Sequence, residues 1–221
     1  MALVRFKDLV MDVVDPATLT PLWGRWLGLR AEIDEHGGVL RGDRPEQTIW
    51  VNRAEPKRTK NRVHLDLVAA DLTPFAEATR LTEPGRFSWT TFADPDGAEF
   101  CVFEIADRPA GLKDVVVDCG DHAAIGRWWA EVIGGDMDTD GRYTWLDRIP
   151  GAPVESFDFV PVPEPKTVKN RVHWDVTLLP GVTVDDLVDQ GATVLTEPSD
   201  DSPWTVMADP EGNEFCVFPA D

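Results

Sequence analysis

Apolar and polar positions follow two different periods along the chain, and they do so in the same order twice. The runs DLVMDVV at 8–14 and DVVVDCG at 114–120 are apolar and rich in β-branched residues, which predicts buried strands. An apolar stripe with helical spacing follows each run. Asp15 and Asp121 stand just before these stripes and are predicted to cap the two helices.

Each helix is followed by signals for further strands and a second, shorter helix. The first helix is predicted to end at Gly28 and its counterpart at 134–135, since glycine readily adopts the left-handed conformation of a helix end. The pattern then predicts short strands at 47–53, 142–147 and 155–160. The second helices are predicted at 74–80 and 183–190.

Four segments show that the chain contains two copies of one plan. KNRVHLDL at 60–67 returns as KNRVHWDV at 169–176, and WTTFADPDGAEFCVF at 89–103 returns as WTVMADPEGNEFCVF at 204–218. The latter segments are hairpins around a turn with proline and glycine where a type I turn favours them. Each copy consists of two β-α-β-β-β units, and a unit with one helix buries only one sheet face. Two units are therefore the smallest expected domain.

Composition narrows the class of protein. A formal charge of −19, from 21 basic and 40 acidic residues, disfavours nucleic acid and anionic membranes and favours cationic small molecules. Three cysteines argue against a disulfide framework, and no apolar run is long enough to cross a bilayer. We therefore expect a cytoplasmic α+β protein with domains at 1–108 and 109–221, joined near the Pro/Gly segment 106–111, and without nucleic-acid or membrane partners.

The ordered set of KDLVMDVVDP, LWGRWLG, KNRVHLDL and ADPDGAEFCVF, with its second copy, resembles the vicinal oxygen chelate superfamily. The resemblance is to its glyoxalase-like domain branch, alongside glyoxalase I, bleomycin-resistance proteins and extradiol dioxygenases. It implies tandem domains, each of two paired β-α-β-β-β modules that form a U-shaped, cleft-bearing sheet. It also implies a divalent metal (Zn, Fe, Mn or Ni) and either a monomer with an internal pseudo-dimer or a homodimer.

Matching the ligand strands of that family gives an incomplete metal site. The matched positions are His64, Asp8 and Cys101 in the first copy and His173, Asp114 and Cys216 in the second. Only the histidines are usual ligands of the family, and the strands around Trp50 and Asp158 yield no clear fourth ligand. The cysteines are either small core residues or soft zinc ligands. Asp66 and Asp175 follow the histidines on the same strand face, as structural partners or as tuners of an acid–base histidine.

Two classes of function remain open from the sequence. One is a metal-assisted lyase, isomerase or dioxygenase acting on a small oxygen-bearing molecule, with His64, His173, Asp66 and Asp175 as candidate catalytic residues. The other is a non-enzymatic binder of cationic or aromatic compounds, of the bleomycin-resistance type. Glyoxalase I activity itself is not expected, because its ligand set is missing. Candidate substrate-binding residues are Trp50, Trp89, Trp174, Trp204, Glu99 and Glu214.

Overall fold

A computed structural model, which describes residues 2–56 and 59–220, contains four modules of four strands each. The first half comprises β1 (Val4–Val13), α1 (Pro16–Leu27), β2 (Arg30–Ile33), β3 (Gly37–Arg41) and β4 (Ile49–Arg53), then β5 (Val63–Ala69), β6 (Thr79–Arg80), β7 (Thr90–Ala93) and β8 (Glu99–Glu104). The second half comprises β9 (Gly111–Cys119), α2 (His122–Val132), β10 (Asp136–Thr139), β11 (Thr144–Asp147) and β12 (Ser156–Pro161), then β13 (Val172–Leu178), α3 (Val184–Asp189), β14 (Thr193–Thr196), β15 (Thr205–Ala208) and β16 (Glu214–Phe218).

The strands form two eight-stranded sheets, and each sheet takes one module from each half of the chain. Sheet A has the order β14-β15-β16-β13-β1-β4-β3-β2, and sheet B the order β10-β11-β12-β9-β5-β8-β7-β6. The antiparallel pairs β1–β13 and β5–β9 join the modules at the centre of each sheet. The predicted α+β class, with a module plan that is repeated along the chain, is confirmed. The expectation that the two modules of one half share a sheet is corrected.

The two modules of one half nevertheless share a core, which is built around the long helix. Trp23 and Trp26 of α1 lie 5.1 and 5.0 Å from Phe100 of β8, between ring centroids. In the second half, Trp129 of α2 lies 5.1 Å from Phe215 of β16. Each helix thus packs its own module against the next one along the chain, and so against the other sheet. Burial of these large rings stabilises the contact between the sheets.

The predicted caps and hairpin turns are present and also connect modules. Asp15 and Asp121 accept hydrogen bonds from the first backbone N–H groups of α1 and α2. In the hairpin turns, Asp94 accepts a hydrogen bond from the Trp23 indole at 3.1 Å, and Asp209 accepts the equivalent bond from Trp129 at 3.1 Å. The turn carboxylates therefore fix the helices of the preceding module.

The helix predicted at 74–80 is wrong. The chain forms a 3-10 turn over 73–75 and then enters β6. Phe75 is the one fully buried side chain of that turn, so the segment lacks the apolar stripe that tertiary packing needs to hold a short helix. The second copy has such a helix, α3, with a capping box between Thr183 and Asp186.

None of the helices among residues 2–56 and 59–220 combines the length and the hydropathy that a bilayer-spanning segment requires.

Candidate metal centre

Three potential ligands of the first half meet on one face of sheet B. His64 and Asp66 lie two residues apart on β5, and strand alternation directs both to the same face. Cys101 of β8 lies directly beside Asp66. His64 Nε2 is 3.4 Å from Asp66 Oδ1 and 3.8 Å from Cys101 Sγ, and all three ligand atoms lie within 4.8 Å of one another. We call these three residues the His64 cluster.

The second copy forms the same arrangement on sheet A. His173 and Asp175 of β13 lie beside Cys216 of β16. His173 Nε2 is 3.7 Å from Cys216 Sγ and 3.9 Å from Asp175 Oδ1, and the three ligand atoms again lie within 4.8 Å of one another. We call these three residues the His173 cluster.

A β-bulge adds a lysine and a further aspartate to the His173 cluster. The register of β1 against β13 shifts between Phe6 and Asp8, and Asp8 lies opposite Asp175. Lys7 is the extra residue at this shift, and a bulge can direct such a side chain to the same face as its neighbour. Its Nζ lies 2.6 Å from Asp8 Oδ2 and 4.2 Å from the centroid of the Phe218 ring.

The same bulge occurs at the His64 cluster. Asp114 lies opposite Asp66, and the register of β5 against β9 shifts at the next residue. Lys113 forms an ion pair with Asp114, and its Nζ lies 4.9 Å from the centroid of the Phe103 ring. The lysine–aspartate pair that opens each copy thus lies beside a cluster, a feature that the sequence contained but that we did not interpret.

The structure regroups the predicted metal positions. The sequence placed Asp8 with His64 and Asp114 with His173, within one half each. Because β1 pairs with β13 and β9 pairs with β5, Asp8 joins the His173 cluster and Asp114 joins the His64 cluster. Each site therefore needs both halves of the chain.

The surroundings shift the pKa values of the two imidazoles in opposite directions. Burial lowers the pKa of His64, but its contacts with Asp66 and Cys101 outweigh this effect and raise the pKa to about 10. At His173, burial dominates, and with the positive charge of Lys169 it lowers the pKa to about 4. The His64 cluster therefore attracts positive charge at its imidazole, whereas the His173 cluster does not.

The carboxylates of the His173 cluster are coupled to each other. Burial, followed by the charge of Asp8, raises the pKa of Asp175 to about 8. Two carboxyl groups this close favour sharing one proton near neutral pH. Burial and the charge on Asp175 also raise the pKa of the Cys216 thiol.

A fourth strand brings a carboxylate to one site and an indole to the other. Asp158 of β12 lies beside Val116, which in turn lies opposite His64. Burial and the charges of Asp114 and Asp66 raise the pKa of Asp158 to about 6. The sequence left this position ambiguous. The buried residues at 157 and 159, on either side of Asp158, were the signal that would have assigned it to the site face.

Trp50 is the counterpart of Asp158 on sheet A. It lies on β4 beside Val10, which is paired with His173. Its indole Nε1 donates a hydrogen bond to Asp8 Oδ2 at 3.2 Å, and the side chain remains partly exposed. The structure therefore places this predicted substrate-binding residue at the edge of the His173 cluster.

The other predicted binding tryptophans divide into two groups. Trp89 and Trp204 lie on the site faces and pack against Phe103 and Phe218, with ring centroids 5.7 and 5.3 Å apart, respectively. Trp174 is wholly buried on the opposite face of β13 from His173. Its position excludes contact with a ligand at that site, so its predicted substrate-binding role is wrong.

The predicted glutamates support the loops that precede the histidine strands. Glu99 accepts a hydrogen bond from the backbone N–H of Asn61 at 3.2 Å. Glu214 accepts one from the backbone N–H of Asn170 at 3.1 Å and forms an ion pair with Lys166 at 2.7 Å. These contacts give both glutamates a structural role, and their predicted binding role stays a prediction.

The donor sets fit a divalent metal. Tetrahedral zinc, with bonds of about 2.0–2.1 Å to nitrogen or oxygen and about 2.3 Å to sulfur, separates its ligand atoms by roughly 3.3–3.6 Å. The distances within the His64 cluster are 3.4 and 3.8 Å. Among the described residues, the buried atoms Asp66 Oδ1, Asp8 Oδ1, Asp175 Oδ1 and His173 Nδ1 have no hydrogen-bond partner. Buried polar atoms without partners are costly, and a cation would satisfy the oxygens.

The cluster residues themselves are largely covered. Cys101, Cys216, Asp8 and Asp175 are buried. A cavity of about 410 Å³ lies instead between the loops at 59–62 and 168–171, and another of about 500 Å³ lies beside α1.

These features define a class of protein: an α+β chain of four modules with four strands each, whose sheets each bring histidine, cysteine and carboxylate groups together on one face. A family model described as "Glyoxalase-like domain" matches residues 8–103 and again 114–218, so the chain belongs to the glyoxalase-like domain family. No curated protein matches the sequence.

Solved structures agree on the fold at low sequence identity. Glyoxalase I from Zea mays superposes with a TM-score of 0.68 at 17% identity, covering 97% of this chain and 92% of that one. A putative dioxygenase from Bacillus subtilis subsp. subtilis str. 168 gives 0.66 at 14%, covering 99% and 86%. The cppA protein from Streptococcus pneumoniae TIGR4 gives 0.56 at 10%, covering 99% of both chains. At such identities the likeness shows a shared fold alone.

Proposed function

We propose that this protein binds a divalent metal ion through a histidine–aspartate–cysteine cluster and uses it to bind a small oxygen-bearing organic molecule. The proposal rests on one observation: in each cluster an imidazole nitrogen, a thiol sulfur and a carboxylate oxygen lie within 4.8 Å of one another on the site face of a sheet. A soft sulfur ligand beside nitrogen and oxygen favours zinc over calcium or magnesium.

Metal binding, proton exchange and ligand contact would fall to different residues. His64, Asp66 and Cys101 would hold the metal, and a metal at this position supplies Lewis-acid polarisation of a bound oxygen. Asp158 has a pKa raised to about 6 by burial and by the neighbouring carboxylates, so it exchanges a proton near neutral pH. Such a group suits general acid–base catalysis, and we assign it that role. Trp89 offers a ring face to an unsaturated ligand at the rim.

Elemental analysis of the freshly purified protein tests the proposal. We expect close to stoichiometric metal in the wild-type chain and loss of that metal in a His64→Ala/His173→Ala double variant. The matched control is His36→Ala, because His36 is exposed and lies far along the chain from either cluster. Metal binding by these residues would be contradicted if the wild-type chain contained no metal after purification and took up none when metal was added. It would also be contradicted if the double variant retained its metal.

A second function is favoured by the rings on the site faces and by the charge of the chain. The Phe87 and Trp89 rings stack with centroids 4.8 Å apart and an interplanar angle of 7°, and Trp89 also contacts Phe103. With a formal charge of −19, such a surface suits a cationic aromatic compound. Quenching of tryptophan fluorescence by such compounds in the presence of EDTA, abolished in Trp89→Leu, would support a binding protein without metal chemistry.

A further inference from the structure

The two clusters share three donors but differ at the fourth strand. On sheet B, the position beside Val116 is occupied by Asp158, and on sheet A the equivalent position beside Val10 is occupied by Trp50. Both valines are paired with the histidine of their cluster. The two side chains therefore extend from the same place in the fold toward equivalent sites.

The His64 cluster has more carboxylate than its cations balance. Asp66, Asp114 and Asp158 interact with one another, while Lys113 forms an ion pair with Asp114. Ser156 Oγ donates to Asp114 at 3.0 Å and lies 2.7 Å from Asp158 Oδ1, which holds these two side chains together. Fixed oxygen ligands with uncompensated negative charge are what a divalent cation requires.

The His173 cluster has a smaller excess, because two carboxylates, Asp8 and Asp175, lie beside one lysine, Lys7. Asp8 receives hydrogen bonds from Lys7 Nζ at 2.6 Å and from Trp50 Nε1 at 3.2 Å. The indole offers a donor where the other site offers an acceptor, so it contributes no ligand. The His173 side chain is also less exposed than that of His64, at 8% against 17%. Both differences oppose entry and retention of a metal ion.

The geometry points to one metal ion per chain: we infer that the His64 cluster, supported by the neighbouring carboxylate of Asp158, is the metal site, and that the His173 cluster is a metal-free counterpart closed by Trp50. This inference rests on the proposed metal-binding function and adds which of the two copies performs it.

Titration with Co²⁺ of the full-length, chelator-treated protein tests the inference through its spectrum. A cobalt–thiolate bond gives a charge-transfer absorption in the near ultraviolet, so it reports ligation by cysteine without any assay of activity. We expect saturation at one equivalent per chain. Cys101→Ser should abolish the charge-transfer band, and Cys216→Ser should leave both the band and the stoichiometry unchanged.

Substituting the fourth-strand residues, Asp158 and Trp50, tests the inference in both directions, by weakening one site and by creating the other. Asp158→Asn should weaken Co²⁺ binding by about 10–100-fold, a loss typical for a group that supports a metal site. Trp50→Asp should create a second site and raise the stoichiometry toward two. Circular dichroism and thermal unfolding of each variant establish that it is folded, and the Asp158→Asn result stands on its own if Trp50→Asp does not fold.

The outcomes separate the two levels of the hypothesis. Two equivalents in the wild-type chain, or a band lost in Cys216→Ser and retained in Cys101→Ser, would overturn the inference while leaving metal binding intact. Absence of any Co²⁺ binding would overturn both. Unchanged affinity in Asp158→Asn would also contradict the role assigned to the fourth strand.

Discussion

Raising the pH from 6.5 to 8 should destabilise the metal-free protein. The folded pKa of His64 is about 10, against a usual value of 6.5, and that of Asp175 is about 8, against 3.8. In both cases the folded value lies above the unfolded one. The stability that each proton contributes is therefore complete below the unfolded pKa and is lost as the pH rises through the folded pKa. Between pH 6.5 and 8 the two losses overlap.

The expected magnitude follows from the number of protons released on unfolding. One proton corresponds to about 1.4 kcal/mol per pH unit, so nearly two protons near pH 7 give a slope of roughly 2–3 kcal/mol per unit. Below pH 6.5 the slope should be smaller. His173, whose pKa is lowered to about 4, then acts in the opposite direction because its unfolded form takes up a proton that the folded form lacks.

Urea unfolding in EDTA at half-unit pH intervals measures this slope. His64→Gln removes one of the two titrating groups and Asp175→Asn removes the other, so each variant should lose close to half of the slope. His36→Gln is the matched control, because His36 is exposed, and it should retain the full slope. A free energy of unfolding that stays constant or increases between pH 6.5 and 8 would refute the reasoning.

Three further predictions concern packing and capping. Trp129→Ala should lower the free energy of unfolding by about 3–5 kcal/mol, because the Trp129 ring is fully buried between α2 and sheet A. Trp204 is partly exposed, so Trp204→Ala should lower it far less. Equal losses for the two variants in urea unfolding would contradict this. Glu211→Ala should lower the free energy of unfolding by about 1–2 kcal/mol in the same assay, because the Glu211 carboxylate accepts hydrogen bonds from two backbone N–H groups just before α2. An unchanged urea midpoint would argue against this stabilising role. Gly126→Ala should lower the free energy of unfolding by about 1–3 kcal/mol, because the new Cβ would lie 2.5 Å from a threonine methyl group. Gly111→Ala should be tolerated, because a Cβ there meets open space. A lower thermal unfolding midpoint for Gly111→Ala than for Gly126→Ala would contradict this packing.

Local features were predictable from the sequence because they depend on neighbours along the chain. Asp15, Asp121 and the helix-ending Gly28 are where the pattern placed them, and Gly28 adopts a φ of 66°. The alternation of strand side chains also placed each histidine and aspartate on one face. These expectations required no knowledge of which strands pair.

The partners of each strand were not predictable in the same way. A module has the same apolar faces whichever other module it joins, so the repeat alone did not distinguish pairing within a half from pairing across halves. The assignment of Asp8 and Asp114 was wrong in grouping for this reason, although both lie beside a cluster. Asp158 was left ambiguous because strand alternation gives its face, opposite that of residues 157 and 159, but not the groups that lie beside it on that face, which depend on strand pairing.

The pairing across halves also explains how one chain can contain two different sites. In a dimer of identical single-domain subunits, the residue at the fourth strand is the same in both sites, because one gene copy supplies both. Here β4 and β12 belong to separate copies within one chain, so a change at Trp50 does not change Asp158, and the two sites can differ. Each sheet still requires a module from each half, which keeps both copies folded even where one holds no metal. Tandem duplication therefore allows one site to specialise while the other retains only its structural role, and the metal stoichiometry of the wild-type chain measures how far that divergence has gone.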